Sequence, residues 1–303
     1  MIKDARLFKS GFENSNYYIK TDKGMYVIKV FEGAGVQQEH ITFELQVMDV
    51  SFRAGIKTPR VLQNKEGCLA SQLDGKYAMI MDYIEGENMD KKEVSDQIAY
   101  EIGKETGKMD TALAIFPNGD HTRQQYEWDL KNFLILEPKL TYLGPEFDHE
   151  LLQSVFTVFR NMQPVFDKLP RGIIHNDVAL HNILVKDGQL KGLIDFSDMA
   201  YSPYIQNIAV PMAQMFFCYN WAPAQAVLFV KGYQEYHALL REELALLYDL
   251  TCARYATLVI EFNYWDKTIG IDAQRSEAIA DFYQFLLQFR AFGKEAFNQL
   301  LNL

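Results

Sequence analysis

The stretch best equipped for chemistry is Ile173-Ile174-His175-Asn176-Asp177-Val178-Ala179-Leu180-His181-Asn182-Ile183-Leu184-Val185, followed by Gly192-Leu193-Ile194-Asp195-Phe196-Ser197-Asp198. The chain is expected to leave a strand at His175, loop past Asp177 and enter the next strand through Asn182. Asp177 and Asn182 span one loop, so both side chains can converge on one point, and Asp195 at the end of the partner strand can reach it too. A loop carboxylate beside an amide and a second carboxylate suits phosphoryl transfer. One group orients and deprotonates a hydroxyl, while two oxygen ligands hold Mg²⁺ on the transferred phosphates.

Two sets of elements must position these groups. Residues 16–20 and 25–31 are β-rich runs joined by Thr21-Asp22-Lys23-Gly24, a hairpin signal. Ile41, Leu45, Met48 and Phe52 fall at helical spacing and predict a helix over 39–54, stopped by Gly55. Short strands over 60–63, 68–72 and 77–83 complete a small antiparallel sheet carrying one helix. Glu85-Gly86-Glu87-Asn88 reads as a linker. Helices are then expected over 95–110, 126–134, 149–169, 205–217, 222–237, 242–264 and 273–300, interrupted by strands over 172–175, 183–186 and 190–194. A β-rich unit of residues 1–84 followed by a mostly helical unit of residues 85–303 is an α+β arrangement.

His175-x-Asp177-x-x-x-x-Asn182 has the form of a kinase catalytic loop. With Ile-Asp-Phe-Ser-Asp at 194–198 in place of Asp-Phe-Gly, the chain resembles the aminoglycoside phosphotransferase and choline kinase superfamily. Residues 193–203 and Asn207-Ile-Ala-Val-Pro-Met-Ala resemble its hydroxylysine kinase and type II homoserine kinase branch most. The resemblance implies a bilobal protein-kinase-like fold that uses ATP and Mg²⁺. It implies Asp177 as the catalytic residue, with Asn182 and Asp195 as metal ligands. Tyr26-Val27-Ile28-Lys29-Val30 is similar to the kinase Val-Ala-Ile-Lys strand, whose lysine meets the α/β-phosphates, and Glu44 lies 15 residues on, where its partner glutamate belongs. Ile80-Met81-Asp82-Tyr83-Ile84 would be the hinge, with Asp82 and Ile84 on the adenine. Residues 10–16 sit where a phosphate-covering loop belongs, and Trp128-Asp129 resembles a Trp-Asp-Leu segment of the same branch. Two departures stand out: Asn176 and Ser197 occupy positions where glycine is usual, and neither removes a reacting group or a ligand.

Each of these residues also has an ordinary structural role. Lys29 could snorkel from a strand end, Glu44 could face solvent, and Asp177 and Asn182 could shape a turn. The five together, in order and on the expected elements, favour a nucleotide site. His175 is read as packing under the loop, and His181 is left open between the two roles. Asp198 is either a substrate contact or a helix cap. Glu261, with Tyr264 and Asp266, could reach the acceptor pocket, as could Glu85, Glu87 and Asp90; the alternative is a solvated acidic face. Asp198 and Glu261 are carried forward as substrate-binding candidates.

Composition bounds the rest. At 303 residues the chain suits two domains or one bilobal unit. Lys+Arg 30 against Asp+Glu 40 opposes nucleic-acid binding as the main task. Cys68, Cys218 and Cys252 are odd in number and form no C-x-x-C, which argues against a disulfide framework and a zinc site. No apolar leader opens the chain and no uninterrupted apolar run is long enough to span a membrane, so a soluble cytoplasmic protein is expected. Aromatic residues at 14% fit a core or a homodimer interface equally. The expected function is ATP- and Mg²⁺-dependent phosphorylation of a small-molecule hydroxyl. The acceptor would be an amino alcohol, a hydroxy amino acid such as homoserine or hydroxylysine, or an aminoglycoside. A non-catalytic nucleotide-binding scaffold is one rival. A protein kinase is the other, opposed by the short segment 196–204 and the lack of Ala-Pro-Glu.

Overall fold

Met25–Phe31 is a strand with Val27, Lys29 and Phe31 buried on one face, and it forms the centre of an antiparallel sheet. The computed structural model describes residues 1–8, 14–32, 38–89 and 94–302. In it β1 (Ile2–Leu7), β2 (Asn14–Thr21), β3 (Met25–Phe31), β4 (Val61–Leu62), β5 (Ser71–Leu73) and β6 (Lys76–Asp82) pair in the order β1-β2-β3-β6-β4, with β5 also on β6. The expected turn closes through the Thr21 amide on the Gly24 carbonyl at 2.8 Å. Strand β1 was not anticipated. All six of its residues are exposed, so no inward-facing alternation marks it in the sequence.

Helix α1 (Gln38–Arg53) lays Ile41, Phe43, Leu45, Val47 and Met48 into the core and buries Glu44 with them. It ends where Gly55 adopts a φ of 74°, a left-handed conformation that glycine takes without steric cost. The expected phosphate-covering loop lies largely outside the described residues, at 10–13. Residues 83–86 then lead out of the sheet. The segment read as a linker contains β7 (Glu87–Asn88), which already pairs with the C-terminal part.

That part is mostly helical. Helix α2 (Asp96–Leu113) is followed by a 3₁₀ run, Leu130–Tyr142, and α3 (His149–Phe166). The helix expected over 126–134 starts only after Asp129, whose carboxylate caps the Lys131 amide at 3.2 Å. The strand island is β8 (Arg171–Ile174), β9 (Ile183–Lys186) and β10 (Gln189–Leu193), to which the structure adds β11 (Ala200–Pro203), paired with β8. Helix α4 (Gln206–Pro211) continues as a π turn, Met212–Phe216, before α5 (Pro223–Gln234). The long helix expected over 242–264 is two, α6 (Arg241–Leu244) and α7 (Leu247–Thr268). The one expected over 273–300 is split into α8 (Ala273–Phe292) and α9 (Lys294–Leu300) by Gly293, at a φ of 87°. One apolar cluster runs from Phe31, Ile41 and Met79 through Phe133, Phe156 and Phe196 to Phe289, so both parts share a core. No described helix is long and apolar enough to cross a membrane.

Candidate active site

The catalytic-loop segment is built around a bend that few residues tolerate. Asn176 has a φ of 66°, in the left-handed region where glycine is best and asparagine next. Its side chain turns this departure from glycine into a set of ties. Nδ2 donates to the carbonyls of Asp198 (2.9 Å) and Trp128 (3.3 Å), and Oδ1 accepts from Gln206 at 2.7 Å. Its amide donates to Asn207 Oδ1 at 3.0 Å. Asn176→Ala should therefore destabilise the protein by about 3 kcal/mol, from backbone strain plus lost hydrogen bonds. Urea unfolding of Asn176→Ala and Asn176→Gly checks this: the glycine variant recovers only the strain, and equal stability of Asn176→Ala and wild type would refute it.

His175 is buried as expected. It accepts the Asp177 amide on Nδ1 (3.3 Å), faces the Ile194 carbonyl with Nε2 (3.2 Å) and packs on Phe196. Burial lowers its pKa, so it stands neutral with the proton on Nε2. Asp177 is buried too, and three side chains meet it. Arg254 Nη2 donates to Oδ1 at 3.2 Å, while Asn182 Nδ2 (2.7 Å) and His181 Nε2 (3.1 Å) reach Oδ2. Burial pushes this carboxyl up, but His181 and Arg254 outweigh it and hold the pKa below the ordinary value.

Lys29, buried on β3, meets Glu44 Oε1 at 3.0 Å, Asp195 Oδ1 at 3.1 Å and Ser197 Oγ at 2.8 Å. The two carboxylates outweigh the effect of burial and raise its pKa, so it is charged at any working pH. The strand-borne lysine, the helix glutamate and the aspartate after β10 are thus one cluster. Ser197 joins it where glycine was usual, donating to Asp195 through both its hydroxyl and its amide. Asp195 itself has a φ of 63°, a strained bend of the kind found at functional sites. Its carboxyl is held well below the ordinary range because Lys29 and Ser197 outweigh desolvation.

The donors suit magnesium, which binds through one or two protein oxygens and takes the rest from phosphates and water. Asn182 uses its amide nitrogen on Asp177, which leaves Oδ1, and the contacts to Asp195 fall on Oδ1, which leaves Oδ2.

Lys29, Glu44, Asp177, Asn182, Asp195 and Arg254 line one cleft of 610 Å³. At one end Val27, Met79, Met81 and Leu184 form an apolar slot beside the hinge. Ile84 and Asp82 line it, with the Asp82 carboxylate committed to the Arg60 side chain and its amide to the Arg60 carbonyl, each at 3.0 Å. At the other end Trp128, Phe262, Trp265 and Phe282 form an aromatic wall, with Trp128 5.6 Å from Trp265. Asp198 also lies here, accepting a short hydrogen bond from the Tyr126 hydroxyl. Burial and the nearby Asp177 charge push its pKa up to about 7.

The structure does not bring Glu261 to this cleft. It lies on the same side of α7 as Arg254, but its carboxylate is buried against Lys139 at 2.6 Å. Tyr264 packs on Tyr142, and Asp266 binds Arg275 and Ser276. Glu85 and Glu87 line a second groove, and Asp90 lies outside the described residues. Sequence reasoning missed Arg254. Its signal was a lone cation in the apolar run 250–260, where a buried charge calls for a partner.

Comparison with known proteins places this geometry. The sequence model of the phosphotransferase enzyme family (APH) matches residues 4–247. A homoserine kinase from Methylobacillus flagellatus is 28% identical over 241 residues, covering 78% of this chain and 71% of that one. A microcompartment-associated aminopropanol kinase superposes with a TM-score of 0.74 at 15% identity, over 98% of this chain and 94% of the other. An amicoumacin kinase solved with AMP-PNP, Ca²⁺ and amicoumacin gives 0.71 at 16%, over 94% and 88%. The chain belongs to the phosphotransferase enzyme family and is a small-molecule kinase on the protein-kinase-like fold.

Proposed function

We propose that this enzyme transfers the γ-phosphoryl group of Mg²⁺·ATP to the hydroxyl of a small acceptor carrying one or two ammonium groups. A hydroxy amino acid such as homoserine or hydroxylysine, or a simple amino alcohol, fits that description. The observation that carries the reading is the meeting of Lys29, Asp195, Asn182 and Asp177 in one cleft, beside an aromatic pocket that contains Asp198.

In this reading the adenine lies in the apolar slot beside Asp82 and Ile84. Lys29, steadied by Glu44, faces the α/β-phosphates, and Asn182 Oδ1 and Asp195 Oδ2 hold the metal. Bound magnesium neutralises charge on the phosphates. Asp177 accepts a hydrogen bond from the acceptor hydroxyl and takes its proton as the bond to phosphorus forms. A carboxylate held below the ordinary range is a weak base, so orientation outweighs proton abstraction early in the reaction. Asp198 and the aromatic wall receive the ammonium. Among the described residues Asp198 is the carboxylate next to Asp177 at that end, a poor match for the several cations of an aminoglycoside.

ADP release measured against homoserine, hydroxylysine, choline, methylthioribose, thiamine and several aminoglycosides tests the assignment, with Asp177→Asn as control. Stimulation by homoserine, hydroxylysine or choline, lost in the control, is expected. Stimulation by aminoglycosides alone would overturn the proposed acceptor class.

A pH dependence follows. Asp198 binds an ammonium only when ionised, and with a pKa of about 7 its charge is lost as pH falls through that value. The acceptor KM should therefore rise by up to about tenfold per pH unit below 7 and level off above it. Asp198→Asn should have a high KM that no longer varies over this range. An unchanged pH profile in Asp198→Asn would contradict this role.

A further inference from the structure

We infer that Arg254 is the positioning residue that sets the acceptor pocket in register with Asp177, an inference that rests on the phosphotransfer reading of that site. Its guanidinium joins two separate parts of the chain. Nη2 donates to Asp177 Oδ1 at 3.2 Å and Nη1 to the Trp128 carbonyl at 3.4 Å, while the guanidinium carbon sits 5.4 Å from the centre of the Trp128 ring. The same Trp128 carbonyl accepts from Asn176 Nδ2 at 3.3 Å, so the catalytic loop and the start of the aromatic wall meet at one oxygen.

The helix that carries Arg254 also carries Leu258, Phe262 and Trp265 into the cleft. Trp128 packs on both aromatic rings, 5.8 Å from Phe262 and 5.6 Å from Trp265. Asp129, next in sequence, is fixed by Ser202 (2.6 Å) and Gln206 (2.9 Å), and Gln206 also holds Asn176. Trp128 and the α7 side of the acceptor end are therefore tied to the loop that bears Asp177, and Arg254 is the tie that reaches the reacting carboxylate.

Stability alone is a poor account of this residue. Arg254 is 2% exposed, and its Nε has no hydrogen-bond partner among the described residues. A buried guanidinium with an unmet donor is costly, and an apolar side chain of similar size could fill the space. A planar fork holds a carboxylate and a carbonyl at once in one fixed relation, whereas a lysine ammonium on its flexible stem is a point charge that does not fix their geometry.

The test is steady-state kinetics of Arg254→Gln and Arg254→Lys, paired with hydrogen exchange of the apo proteins. Misplacing a reacting group by about 1 Å costs roughly 100-fold, so Arg254→Gln should lower kcat by about that factor. The KM for Mg²⁺·ATP should stay within about twofold, because Lys29 and Glu44 belong to a different cluster. Arg254→Lys keeps the charge but not the fork and should remain about tenfold or more below wild type. Exchange in Arg254→Gln should quicken at 126–130 and 176–182 and stay unchanged at 38–53. A folded Arg254→Gln with near-normal kcat would overturn the inference, as would equal losses in kcat and ATP affinity or a uniform rise in exchange. If wild type turns over none of the acceptors, the proposed acceptor class falls. The exchange pattern still decides whether Arg254 ties the two segments together.

Discussion

Asp177→Asn is expected to lower kcat about a thousandfold while the KM for Mg²⁺·ATP changes by no more than about threefold. The amide keeps the shape of the carboxylate but cannot take the acceptor proton. It also cannot hold three donors in place, and Asp177 here meets Arg254, Asn182 and His181 together. A thousandfold corresponds to about 4 kcal/mol of transition-state stabilisation, in keeping with a base that both orients and abstracts. The nucleotide contacts at Lys29 and Glu44 do not involve Asp177, so ATP affinity should survive. Initial rates with the best acceptor, with Tm measured alongside, give the answer. A folded Asp177→Asn enzyme within tenfold of wild type would remove Asp177 from the chemistry.

The second large effect is expected at Asp195, with the balance between turnover and stability reversed from that of a core residue. Asp195→Ala deletes a metal oxygen and one of the two carboxylates on Lys29, and should lower kcat by about a thousandfold or more. Folding should suffer little. The Asp195 side chain is 46% exposed, and Lys29 keeps Glu44 and the Ser197 hydroxyl. Alanine at a φ of 63° costs about 1 kcal/mol, or about 3 °C in Tm for a chain of this size. Asp195→Gly should be equally inactive without that strain. Titrating Mg²⁺ against activity completes the test, since both variants should need more metal than wild type. Near-normal turnover in a well-folded Asp195→Ala would sink the metal assignment.

What the sequence made legible was local. Asp177 and Asn182 share one loop, so spacing brings them together, while Lys29 and Glu44, on a strand and the next helix, were marked by their resemblance to the kinase lysine and its partner glutamate. The fold class followed from periodicity for the same reason. Strand β1 lacked a buried face to betray it, and the breaks at Gly293 and before α7 fell inside continuous apolar patterns. Arg254 meets its partner across 77 residues, a distance no local pattern encodes. Glu261 was drawn to the site by charge, and it shares a side of α7 with Arg254, yet Lys139, 122 residues away in sequence, claims its carboxylate. Asn176 looked like a lost glycine. Its left-handed φ and its hydrogen bonds show that it serves the same bend by other means.

The most direct measurement is to identify the product. The enzyme would be incubated with Mg²⁺·ATP and the best-stimulating acceptor, followed by ³¹P NMR and mass spectrometry of the small molecules. The expected result is an acceptor heavier by one phosphoryl group, with a phosphate-ester resonance and one ADP formed per product, all absent with Asp177→Asn. ADP accompanied only by inorganic phosphate, or formed equally without acceptor, would contradict a hydroxyl-directed kinase.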